Sequence, residues 1–290
     1  MLWTSPHKRP LPPTGARTLL MGIINLTPDS FSDGGRHMGV DDAVAHALKL
    51  AADGADVLDL GAESTRPGHV PVSEAVEMAR LLPPLLAIRK VLPDMPLSVD
   101  SFKPEVASSA IRAGADIIND VWGGAHGASA RYSPMCELAA RLGAPLILMH
   151  NRESVAAPGM FWDSFLGDMR RAVAQAQTAG IRKEQLWLDP GFGFGKTPAQ
   201  NLECLRELRR LCALGFPVLL GTSRKSTLGL VLGASMEARD AGTIATNVWG
   251  IAEGAQMLRI HDVAAMRPHA LMADAIRKAE VGGCGGSGLT

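Results

Sequence analysis

Residues 53–60 read DGADVLDL. The Gly ends whatever helix precedes it, because Gly enters left-handed backbone without a steric penalty. A short apolar run follows, and it leads into the polar cluster GAESTRPG at 61–68. The same joint returns as AGADIIND at 113–120, LGAPLILM at 142–149, LGFPVLL at 214–220 and EGAQMLRI at 253–260. Working outward from these joints, apolar runs occupy 19–25, 57–63, 97–100, 116–120, 145–150, 186–189, 218–225 and 257–262. Each ends in Asn, Asp, Glu, Arg, Lys or His. Short, nearly continuous apolar runs are the mark of parallel strands buried on both faces. A doubly wound open sheet shares the βα alternation, but eight units without a dinucleotide fingerprint favour a (β/α)8 barrel. In that architecture the C-terminal strand ends form the active face, which is where this chain keeps its unusual polar residues.

The segments between the strands carry helical spacing. Ala43, Ala47, Leu50 and Ala51 repeat in this way, as do Ala75, Met78, Ala79 and Leu82, and Leu202, Leu205 and Leu208. Helix starts are signalled by Asp41-Asp42, by Ser73-Glu74, and by Pro104, Pro134 and Pro198 near first turns. Helix ends are signalled by Gly54, Gly114, Gly143, Gly180 and Gly215.

The chain has 290 residues and no Pro/Gly/Ser-rich break in its middle, so one domain is expected. The expected division is an N-terminal extension at 1–17, the barrel at 18–280 and a flexible Gly-rich tail at 281–290. Lys+Arg and Asp+Glu each number 29, so net charge supports neither a nucleic-acid partner nor an acidic membrane surface. Cys136, Cys204, Cys212 and Cys284 show no metal-site spacing, and Cys204 and Cys212 are expected to pack on one helix. So few cysteines point to a reducing compartment. The opening MLWTSPHKRPLPPTG lacks the apolar core of a secretory signal, and no run reaches the roughly 20 apolar residues of a membrane span. A cytoplasmic protein is expected.

Asn25 closes the first strand and enters LTPDSFSDGG, either a turn-rich surface loop or a lid carrying Asp29, Ser32 and Asp33. Arg66 in the second loop suits an anionic group, although a lone surface Arg more often forms a salt bridge. Asp100, Asn119 and Asp189 end three further strands. Two carboxylates and an amide converging on one mouth suit a polar heterocycle with several donors and acceptors. Met149, Phe192 and Phe194 would wall it, or else serve as ordinary core. Arg224, Lys225, Ser226, Arg259 and His261 follow strands seven and eight, where such barrels often bind phosphate, and Ser226 begins a helix. His261 reads as a neutral hydrogen-bond donor to an anion, since no second His stands at ligand spacing. His150 is equally compatible with a structural role.

In order along the chain, NLTPDSFSDGG, GAESTRPG, SVDSFKPEV, IIND, LDPGFGFGK, SRKS and RIHD resemble the motifs of the dihydropteroate synthase family of folate biosynthesis. The resemblance runs from Leu19 to Lys278. It implies a (β/α)8 barrel, usually a homodimer, that needs Mg2+ and joins 6-hydroxymethyl-7,8-dihydropterin diphosphate to 4-aminobenzoate. Diphosphate would depart first, and the amine would then attack. The resemblance assigns Asp100, Asn119, Met149, Asp189, Phe194, Gly221 and Lys225 to the pterin, with Asp100, Asp189 and Lys225 as catalytic groups. It assigns Asn25, Arg66, Arg259 and His261 to diphosphate, and Asn25 with Asp33 to Mg2+. Phe31, Ser32, Thr65, Pro67 and Ser226 would border the 4-aminobenzoate pocket, where sulfonamides compete; the chain would be their target or a resistant form of it. Ala62 stands where this family commonly has Gly, and SVDSF replaces a frequent SVDT pattern.

The rival readings are a methyltetrahydrofolate:corrinoid methyltransferase, which shares the barrel and the pterin-binding Asp, Asn and Asp, and a non-catalytic pterin-binding barrel. The methyltransferase handles no diphosphate, so the cations after strands two, seven and eight weigh against it. A dead barrel would be expected to lose Asn25, Arg66 or Lys225, and all three are present.

Overall fold

A computed structural model of the chain describes residues 3–27, 39–64, 71–127, 129, 133–157, 159–233, 235 and 239–279. Eight parallel strands run β1 (Leu19–Asn25), β2 (Val57–Gly61), β3 (Leu97–Asp100), β4 (Ile117–Asp120), β5 (Leu146–Met149), β6 (Leu186–Asp189), β7 (Leu219–Leu220) and β8 (Met257–Ile260). They hydrogen-bond in the order β6-β5-β4-β3-β2-β1-β8-β7, and a parallel bridge from Leu188 to Val218 joins the two ends. The sheet is therefore a closed (β/α)8 barrel.

The joints read from the sequence work as expected. Helix α1 (Val40–Ala52) buries Ala43, Ala47 and Leu50, and α3 (Pro104–Arg112) and α4 (Pro134–Leu142) each start on a proline. Gly143 caps α4 in left-handed backbone at φ +65°. The face of α2 (Glu74–Val91) differs from the Ala75–Leu82 expectation: Glu77, Leu81, Leu85 and Ile88 are buried, while Ala75 and Ala79 are exposed. Glu77 can lie inside because it meets Lys103, a pairing that helix periodicity does not reveal. The helix expected to carry both Cys204 and Cys212 is instead two, α6 (Pro198–Arg206) and α7 (Leu208–Cys212). The remaining helices are α5 (Phe161–Thr178), α8 (Ser226–Leu232), α9 (Arg239–Ala252) and α10 (Val263–Lys278).

Side chains alternate along each strand. Ile118, Leu146, Leu148 and Leu188 join the large cluster beneath the helices. Met21, Val57, Ile117, Ile147, Trp187 and Met257 form a separate cluster inside the barrel. Trp3 and Leu11 belong to that inner cluster, so the stretch expected as an extension packs against the starts of the strands. Trp3 lies 4.9 Å from Trp187 between ring centroids, and its Nε1 donates to the Pro12 carbonyl at 2.7 Å. Buried Asp116, just before β4, accepts from Arg9 and Arg89 and from the Leu97 amide. The barrel interior at the strand starts is thus apolar, with the Asp116 ion pairs at its rim.

Candidate active site

Continuing the inward parity two residues on from Val57, Ile117, Trp187 and Met257 brings in Asp59, Asn119, Asp189 and Arg259. Asp100 lies beside Asn119 in the β3–β4 register, and beside Gly61 in the β2–β3 register. A Cβ on Gly61 would sit 3.4 Å from the Asp100 carboxylate, so the small residue leaves that carboxylate its place.

Arg259 links this floor together. Its Nε donates to Asp59 Oδ2 at 2.6 Å, and its Nη2 donates to Asp100 Oδ2 at 2.7 Å. Asn119 Nδ2 donates to the same Asp59 oxygen at 3.1 Å. Burial pushes the Asp100 carboxyl up to about 7; Arg259 pulls it back, Asp59 pushes it further, and Lys225 opposes. Asp189 is also raised by burial, against the Gly191 amide, which donates to its Oδ1 at 2.7 Å, and against Lys225. These two carboxyls are groups whose protonation is set by their surroundings, as at many catalytic sites.

The wall is apolar. Met149, Val121 and Phe102 cluster with Phe194. Lys225 Nζ lies 3.9 Å from the Phe194 ring centroid, and a Cβ on Gly193 would come within 3.2 Å of the Lys225 chain. Phe192, the other candidate wall, is 1 % exposed and belongs to the core under the helices.

The LDPGFGFGK loop is fastened by Lys196, a residue to which the sequence reading assigned no role. Its buried ammonium donates to the carbonyls of Gly191 and Phe194, both at 3.0 Å, and to His150 Nδ1 at 2.9 Å. Burial lowers its pKa to about 8. His150 is therefore structural: its Nδ1 accepts, and its Nε2 faces Asp168 Oδ2 at 3.4 Å. Gly191 permits this fit, since a Cβ there would lie 1.9 Å from the His150 carbonyl oxygen. Beside this network, a cleft of about 470 Å³ opens between the loop after β4, the loop after β5 and helix α5.

Beyond β7 and β8, Ser223 Oγ and His261 Nδ1 are 2.8 Å apart, which keeps the imidazole in contact with a hydroxyl. Lys225 is the N-cap residue of α8, and Ser226 follows it, exposed. One expectation is corrected here. Arg224 adopts φ +57° and turns to Asp240, with bonds of 2.8 and 3.0 Å, so it does not join the cluster. Arg259, which the resemblance gives to diphosphate, rests its fork on the carboxylates of Asp59 and Asp100 at the floor of the mouth. Asn25 ends β1, half-buried, in register with Gly61. Phe31, Ser32, Asp33, Thr65, Arg66 and Pro67 lie outside the described residues.

The second loop is gripped where it leaves and rejoins the described structure. Buried Lys103 donates to Glu63 at 2.7 Å, to Glu77 at 2.8 Å and to the Val72 carbonyl at 2.6 Å, and the Val72 amide donates to Glu63 at 3.0 Å. The sequence reading passed over Asp59 as well. Its one signal was a charged residue at an inward position of a strand.

A family model described as pterin binding enzyme matches residues 21–261. A dihydropteroate synthase from Clostridium beijerinckii is 45% identical over 263 residues, covering 90% of this chain and 95% of its own. Among solved structures, the Xanthomonas albilineans dihydropteroate synthase with 4-aminobenzoic acid aligns with a TM-score of 0.86 at 41% identity, over 96% of this chain and 100% of that one. The Yersinia pestis dihydropteroate synthase in a sulfonamide drug complex aligns with a TM-score of 0.83 at 37% identity, over 91% and 96%. The fold and the strand-end cluster therefore define a pterin-binding barrel enzyme. Within that class, the chain belongs to the dihydropteroate synthase family.

Proposed function

We propose that this chain condenses 6-hydroxymethyl-7,8-dihydropterin diphosphate with 4-aminobenzoate, giving 7,8-dihydropteroate and diphosphate. The observation that carries the reading is the meeting of Asp100, Asn119 and Asp189 with Lys225 and Phe194 at one barrel mouth, in a chain of this family. Asp100, Asn119, Asp189 and Lys225 would hold the edge of the pterin ring, with Met149, Phe194 and Gly221 shaping its slot. His261, Arg66 and Arg259 would hold diphosphate oxygens. The bond between the pterin methylene and diphosphate breaks, and diphosphate leaves with the electron pair. The cation left behind is delocalised into the pterin and stabilised by Asp100 and Asp189. The aniline nitrogen of 4-aminobenzoate then forms the new C–N bond and gives up a proton. A neutral amine needs no strong base, so the lack of a His-Asp dyad is no obstacle. Phe31, Ser32, Thr65, Pro67 and Ser226 would border the amine's pocket, where a sulfonamide would compete.

Mg2+ belongs to the same reading. Among the described residues no three His, Cys, Asp or Glu side chains gather as a metal cage. Mg2+ keeps several waters and binds through one or two side chains plus substrate phosphates. Asn25, with Asp33, would hold it, and it would supply charge neutralisation of the leaving group. A homodimer is supported by the apolar side chains that α8, α9 and α10 leave at least half exposed, among them Leu230, Trp249, Leu271, Met272 and Ile276. No described helix is long and apolar enough to cross a membrane. With the low cysteine content, we place the protein in the cytoplasm.

The test is turnover of the two substrates with and without Mg2+, repeated across a sulfamethoxazole titration. Mg2+-dependent dihydropteroate formation is expected, and the inhibition curve separates a drug-sensitive enzyme from a resistant one. Pterin binding without product would favour the methyltransferase or the non-catalytic barrel.

A further inference from the structure

Asp59 is wholly buried in β2, yet no substrate role falls to it from the family's motifs. Burying a carboxylate is costly unless its oxygens are well paired. Only one oxygen of Asp59 is: Oδ2 accepts from both Arg259 Nε and Asn119 Nδ2, while Oδ1 is buried without a partner among the described residues. An apolar residue such as Val57, two positions earlier on the same face, would fill that place without this penalty. What the carboxylate does is orient two groups at the ligand layer above it. It accepts from Asn119 Nδ2, which fixes the orientation of that amide. It also takes one arm of Arg259, whose other arm reaches Asp100.

We propose that Asp59 is a positioning residue of the pterin site, one that aims Asn119 and Arg259 and bears with its charge on Asp100. The charged groups acting on Asp100 come from four elements: Arg259 from β8, Asp59 from β2, Lys225 before α8 and Glu77 from α2. Of these, Asp59 is the carboxylate that opposes Asp100 ionisation most strongly. Its removal therefore shifts Asp100 ionisation to lower pH, an effect that a purely structural role would not produce.

The inference rests on the synthase reading only for its turnover measurement. In the full-length protein, Asp59→Asn keeps the shape and removes the charge, while Asp59→Glu keeps the charge. Ser98→Ala is the control, because Ser98 is the register partner of Asp59 in β3 and its buried Oγ has no partner among the described residues. Calorimetry with 6-hydroxymethylpterin reads the site without turnover. Asp59→Asn is expected to fold, to bind the pterin about tenfold more weakly, to leave the KM for 4-aminobenzoate unchanged, and to move the acid limb of kcat/KM to lower pH. Asp59→Glu restores the limb, and Ser98→Ala leaves it in place. Folded Asp59→Asn with wild-type affinity and limb overturns the proposal, as does an equal effect of Ser98→Ala. Failure of both Asp59 variants to fold also overturns it, by making the residue a stability element. Wild-type protein that binds pterin without turning over would sink the synthase reading alone.

Discussion

Lys225 Nζ stands 3.9 Å from the centre of the Phe194 ring, so a cation and an aromatic face close the same side of the barrel mouth. Such a contact is worth about 1–2 kcal/mol when partly desolvated, and it also holds the ammonium in place for a ligand. Phe194→Leu should therefore weaken pterin binding by about tenfold. Phe194 is only half-buried, so the melting temperature should move little. Calorimetry beside a thermal melt checks both, and unchanged pterin affinity would contradict the role of the pair.

Asp100 sets a pH dependence of activity. Burial raises its carboxyl to about 7, and the proposed chemistry needs it ionised to face the pterin cation. The kcat/KM of the free enzyme should climb about tenfold per pH unit below 7 and level off above it. Asp100→Asn should abolish that limb and lower turnover by about a hundredfold or more. A flat profile between pH 5.5 and 8 in the wild type, or near-normal turnover in the variant, would count against the mechanism.

His150 sets a pH dependence of stability. Burial lowers its pKa from 6.5 to about 4, so the folded protein keeps it neutral while the unfolded chain takes up a proton. That stability is fully present above pH 6.5 and is lost as pH falls from 6.5 toward 4, by roughly 3 kcal/mol in all. Asp100 and Asp120, raised by burial to about 7 and about 6, act in the opposite sense. The difference between wild type and His150→Gln isolates the histidine. Urea midpoints at pH 7, 5.5 and 4 should fall more steeply for the wild type, and parallel curves would refute the assignment.

Trp3 closes the inner core from the far end. It is 3 % exposed, and its ring packs on Trp187. Trp3→Ala should cost about 3–5 kcal/mol by opening a cavity inside the barrel, read as a drop in the urea midpoint. Activity at low temperature should persist, because the catalytic mouth lies at the other end of the strands.

The sequence was legible wherever the cause was local. Gly-bounded apolar runs repeat because each αβ joint needs a residue free to turn and a strand buried on both faces. That rhythm was enough for the barrel. The strand-end position of Asp100, Asn119, Asp189 and Lys225 followed from the alternation of side chains, and the structure brings those residues to one mouth. Lys196 and Lys103 escaped notice because their partners, backbone carbonyls and distant side chains, are supplied by loops that meet only on folding.

Pattern and spacing by themselves determined the architecture and put Asp100, Asn119 and Asp189 at one end of the barrel. Tertiary structure alone decided how the charges pair. Arg259 and Asp59 stand 200 positions apart, and closure of the barrel sets β8 and β2 on either side of β1, so the guanidinium reaches the Asp59 carboxylate. Arg224 and Lys225 are neighbours of equal charge, yet one backbone turn sends the first to Asp240 and the second over Phe194. Periodicity records which face of an element is apolar, a short-range property. The partner of a buried charge is fixed by the cost of leaving it unpaired in the folded interior, and that cost exists only once the chain has closed around it.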